Sequence, residues 1–87
     1  MEKRIGTISI FIYNKEVIQK VNELLSDYST FILSRNGLPL VNKGVNIITL
    51  IIEAPTNTIN ALNGSLGRLV GVEAKVNVSK YIKIVEE

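Results

Sequence analysis

The chain contains no cysteine, no histidine and no tryptophan. Without cysteine there is no disulfide framework, no thiolate nucleophile and no cysteine-based metal site. The joint loss of cysteine and histidine removes the usual nucleophile–base pairs and the transition-metal ligand sets. No catalytic residue, metal or cofactor is therefore expected, and composition argues against an enzyme. Long apolar runs are also missing. The longest, Ile47-Ile48-Thr49-Leu50-Ile51-Ile52, is far too short to span a bilayer. Met1-Glu2-Lys3-Arg4 leads into an alternating segment rather than the leucine-rich core of a secretory signal, so a cytoplasmic location is expected. Charge of one sign is scarce as well. Ten Lys and Arg stand against eight Asp and Glu, a net +2 with no basic block, which argues against a nucleic-acid partner.

What remains is ordinary globular material, 46% hydrophobic and 21% charged. Eighty-seven residues make room for one domain, expected over 1–87. Arg4 to Tyr13 alternates with a period of two, Ile8, Ile10 and Ile12 against Thr7, Ser9, Phe11 and Tyr13, which predicts a strand. Asn14 offers an N-cap to a helix over Lys15–Asp27, whose Val17, Ile18, Val21, Leu24, Leu25 and Tyr28 share one face. Phe31–Leu38 reads as a second strand, broken by a tight turn at Asn36-Gly37, with Pro39 marking an edge or an end. Asn42-Lys43-Gly44 reads as a turn, and Val45–Glu53 as a third strand, apolar on both faces.

Pro55-Thr56 opens a second helix with Ile59, Leu62, Leu66 and Leu69 in one stripe. Gly64 and Gly67 lie inside it, projecting away from that stripe, and are candidate partner-facing positions. Gly71 suits the end of this helix. Val72–Val78 is a fourth strand with Val72, Ala74, Val76 and Val78 inward and Glu73, Lys75 and Asn77 outward. Residues 79–87, with Tyr81-Ile82-Lys83-Ile84-Val85 at their centre, read as a short fifth strand or an arm.

The order β-α-β-β-α-β predicts an α+β, ferredoxin-like antiparallel sheet with both helices on one face and the first and third strands central. Two helices cover only one side. Phe11, Tyr13, Val45, Ile47 and Ile51 belong to the other, and an apolar face of that kind is rarely left in water. These five residues are expected to form a homo-oligomer interface, giving a homodimer or homotetramer.

Two loops are candidate ligand contacts. Arg35-Asn36-Gly37 sets a planar guanidinium beside a glycine, a pattern that suits a carboxylate or phosphate. Asn14 and Lys15 occupy a strand-to-helix junction, where free N–H groups attract anions. Each has a plainer reading, a surface charge beside a turn and an ordinary N-cap.

Several segments together carry a family likeness: Lys3-Arg4-Ile5-Gly6, Val21-Asn22-Glu23-Leu24-Leu25, Arg35-Asn36-Gly37-Leu38-Pro39, the run from Ile59 through Gly64-Ser65-Leu66-Gly67 to Leu69, and Gly71-Val72. Over roughly residues 3–80 the chain resembles the iron-only hydrogenase system regulators, the glycine-bearing second helix being the most specific piece. The resemblance implies a stand-alone ACT-like domain, similar in fold to the effector-binding domain of nickel-responsive repressors. It implies dimers or tetramers that hold a small-molecule effector at subunit interfaces, or a structural adaptor that docks a protein partner without one. The chain departs from its relatives in two ways. It lacks the His and Cys that nickel sensing needs. Tyr13-Asn14-Lys15 also stands where amino-acid-binding ACT domains commonly place glycine after the first strand.

Overall fold

The computed structural model describes residues 2–80. Four strands, β1 (Arg4–Ile12), β2 (Ile32–Leu40), β3 (Val45–Ala54) and β4 (Val72–Val78), form one antiparallel sheet in the order β2-β3-β1-β4. Two helices, α1 (Ile18–Asp27) and α2 (Thr56–Gly67), complete the β-α-β-β-α-β order. This is the ferredoxin-like arrangement, with β1 and β3 central as their hydrophobicity requires. The anticipated C-terminal strand at 81–85 lies outside the described residues.

Alternation sorts every strand residue to one side of the sheet. Ile8, Ile10 and Ile12 of β1 and Ile48, Leu50, Ile52 and Ala54 of β3 are buried toward the helices. Val21 and Leu25 of α1, Ile59, Leu62 and Leu66 of α2, and Val72 of β4 close the same core. Full burial of each Ile or Leu side chain contributes about 1.5–3 kcal/mol before entropy is counted. No charged or polar residue is buried among those described. No helix among them is long and apolar enough to cross a membrane.

The first helix begins later than its periodicity suggests. The Asn14 side chain accepts a hydrogen bond from the Glu16 N–H at 3.0 Å, and Lys15–Val17 winds as a tighter 3-10 turn before α1 starts at Ile18. Such turns are frequent at helix N-termini. Pro55 precedes α2, and its carbonyl accepts from the N–H groups of Thr58 and Ile59. The helix stops at Gly67, two residues before Leu69, which still packs half-buried against the core.

The reading of β2 needs correction. No turn forms at Asn36-Gly37. The strand runs through both residues and on through Pro39, with Asn36 opposite Thr49, Gly37 opposite Ile48 and Leu38 opposite Ile47. The ten-residue β3 offers a continuous ladder, and neither Asn36 nor Gly37 has positive φ. Ladder hydrogen bonds outweigh the local Asn-Gly preference. The hairpin turns instead at Val41–Lys43, closed by Gly44 at φ 67°. Pro39 costs no sheet hydrogen bond on the outer side because β2 is an edge strand. A register shift between Ile32 and Ser34 bulges the same strand at Leu33.

Candidate functional site

The sheet face away from the helices is laid out in rows. Leu38, Ile47, Phe11 and Glu73 stand side by side across the four strands, and Leu40 and Val45 extend that group toward Tyr13. The next row is polar throughout: Asn36, Thr49, Ser9 and Lys75. Beyond it Ile51 lies by the bulge at Leu33, and Ile5 follows. Ile5, Tyr13, Leu33, Leu38 and Ile51 are all exposed, whereas Phe11, Val45 and Ile47 are half-buried by their neighbours. The five residues expected to share a face, Phe11, Tyr13, Val45, Ile47 and Ile51, do share it. Leu33, Leu38 and Ile5 were missed. Leu38 escapes sequence reasoning because a turn at Asn36-Gly37 would break the alternation that places it on this face.

A cavity of about 360 Å³ opens at the end of the sheet. It is lined by Ile12, Tyr13, Asn14 and Lys15 on one side and by Val41, Gly44, Val45 and Asn46 on the other. Asn14 and Lys15, the candidate ligand contacts at the strand-to-helix junction, both line it. Their counterparts across the cavity come from the β2–β3 turn, a long-range neighbour that no local pattern announces. The signal that could have found it is the antiparallel register, which sets Ile12 opposite Asn46.

A second cavity, about 240 Å³, lies on the helix side of β2, lined in part by Arg35, Gly37, Asn22 and Pro39. Ile12 and Asn46 border both cavities, so the two are neighbours across one ladder pair. Arg35 does not reach out freely. Its Nη2 donates to Asn22 Oδ1 of α1 at 2.6 Å. Asn36, next in sequence, borders neither cavity, because a strand sends neighbouring side chains to opposite faces. The Arg35-Asn36-Gly37 group is therefore divided between the two sides of the sheet. Gly37 lies in the ladder rather than in an N–H-exposing turn.

Among the described residues, Tyr13 is the group whose ionisation its surroundings clearly shift. Its hydroxyl donates to Glu73 Oε1 at 2.8 Å. That bond, then partial desolvation, then the negative charge of Glu73 hold the phenol above its ordinary 10.0. Among the described residues no three His, Cys, Asp or Glu side chains gather into a metal site. On α2, a Cβ built on Gly67 meets nothing within 4 Å, and one on Gly64 meets only Arg68 Nη1 at 3.6 Å. Both positions are open, as their place opposite the leucine stripe requires.

These features define a small ferredoxin-like α+β domain with an apolar second face and, at one end of its sheet, a mostly apolar cavity into which Asn14, Lys15 and Asn46 bring polar groups. Residues 4–76 match the TM1266-like family model, described as "Iron-only hydrogenase system regulator, putative", and the chain belongs to that family. Among solved structures it is similar to the uncharacterized protein TM1266 from Thermotoga maritima, at 36% identity and a TM-score of 0.87. That match covers 91% of this chain and all of the other. No curated protein matches.

Proposed function

We propose that the chain is a cytoplasmic, non-catalytic regulatory domain of the iron-only hydrogenase system, ACT-like in design. It works as a homo-oligomer assembled through the open sheet face. A small anionic or polar molecule, held beside Asn14 and Lys15, sets the state of that assembly. The observation that carries the reading is the second apolar face. Phe11, Val45, Ile47 and Ile51, with Ile5, Leu33 and Leu38, give a monomer more clustered apolar surface than water tolerates well. The cavity shares Tyr13 and Val45 with that face, so a molecule in it would touch the assembly contact. A lysine with two asparagines, Asn14 and Asn46, suits a carboxylate or phosphate group.

Native mass spectrometry of gently purified protein tests both parts. An oligomer with added mass is the expected result. A bare oligomer would favour the adaptor reading, in which the open flank of α2 at Gly64 and Gly67 docks a protein partner. A bare monomer would overturn the proposal.

A further inference from the structure

The two edges of the sheet are not alike. β2 is blunted by Pro39, which has no N–H to give, and by the bulge at Leu33. β4 is regular over its seven residues, without glycine, proline or bulge. Only its inner edge is paired, to β1, and its outer N–H and C=O groups have no strand partner among the described residues. Such an edge is a template for another strand.

We infer that the outer edge of β4 pairs antiparallel with β4 of a second copy, about a two-fold axis at Ala74. Of the registers this strand could take about such an axis, this one alone sets opposite charges against each other. An isologous antiparallel pair must set residues of the same face opposite each other, so the axis passes through a residue position. Centring on Glu73 opposes two carboxylates, and centring on Lys75 opposes two ammonium groups. Like charges directly opposite are destabilising. Centring on Ala74 sets Glu73 opposite Lys75 of the second copy, twice by symmetry. On the helix side it sets Val72 opposite Val76, and the small Ala74 opposite itself. Tyr13 prepares the carboxylate, since its hydroxyl holds Oε1 and leaves the other oxygen for the lysine. The contact joins two sheets edge to edge. It deepens the assembly reading above without using the open face, so each contact can fail alone.

Because the natural chain has no cysteine, one substitution reports the register. In the proposed pair two Ala74 Cα atoms lie about 4.5–5.5 Å apart, within disulfide reach. The two Asn77 positions are six residues out of register, roughly 20 Å apart. Mild oxidation of Ala74→Cys is expected to give a covalent dimer, and oxidation of Asn77→Cys to give none. Separately, K75E is expected to weaken the edge contact by about tenfold, and E73K/K75E to restore it. Dissociation constants come from analytical ultracentrifugation, with circular dichroism confirming that each variant is folded. Equal cross-linking at both positions, none at Ala74, or a K75E protein that assembles like wild type would overturn the inference. An Ile47→Lys variant tests the open-face contact on its own and leaves β4 untouched.

Discussion

Gly71 and Asn14 lie so close that a β-carbon on the glycine would sit 2.7 Å from Cβ of the asparagine. Gly71 also takes φ 78°, and its carbonyl accepts a hydrogen bond from the Tyr13 N–H at 2.8 Å. The turn before β4 is thereby pinned to the end of β1, beside the cavity that Tyr13, Asn14 and Lys15 line.

Replacing Gly71 by alanine combines left-handed backbone strain with displacement of Asn14. A loss of about 1–3 kcal/mol in unfolding free energy is expected, measured by urea denaturation. Gly37→Ala, in extended backbone with nothing near its Cβ, should cost far less.

The Tyr13–Glu73 pair should be visible in a spectrophotometric tyrosine titration, with Tyr28→Phe and Tyr81→Phe introduced to isolate the signal. Tyr13 ionises above 10.0, and Glu73→Gln brings it down toward that value. The sign for stability follows from the raised value in the folded state. The contribution is present below pH 10.0, the unfolded value, and is lost as pH climbs through the folded one. Glu73→Gln should flatten that alkaline fall.

Gly67→Ala places a methyl in open space on helical backbone, and Gly64→Ala places one in ordinary contact with the end of the Arg68 side chain. Each is expected to stabilise the isolated protein by about 0.5–1 kcal/mol. If this flank docks a partner, the same substitutions weaken that complex, which isothermal titration would register.

Ile47→Lys sets an ammonium between Leu38 and Phe11 in the middle of the open face. It is expected to lower the subunit count by light scattering while far-ultraviolet circular dichroism stays unchanged. A variant that keeps the wild-type mass would refute the open face as an interface.

Most of the fold was legible because its signals are local. The period of two in β1 and β4 and the 3.6-residue period in α1 are each written within a dozen residues. The inward set Ile8, Ile10 and Ile12 and the outward set Glu73, Lys75 and Asn77 stand where alternation put them. The failures are non-local. Asn36-Gly37 has the chemistry of a tight turn, but a partner strand ten residues long holds it extended. The far wall of the Asn14–Lys15 cavity, Val41 to Asn46, is set by strand register across more than thirty residues of chain. Sequence alone leaves Arg35 as either an anion contact or a plain surface charge, whereas Asn22 holds it, a pairing that joins α1 to β2.

The polar row Asn36–Thr49–Ser9–Lys75 acts as a ruler for anything laid on the sheet. A covering layer that slips by one pair of residues, about 7 Å along the strands, presses its apolar side chains onto Thr49 and Ser9 and bares Ile47 or Ile51. A uniformly greasy face would let two layers glide into many arrangements of similar energy. This face, with an apolar patch on each side of a wet band, penalises any arrangement that lays apolar side chains on the band.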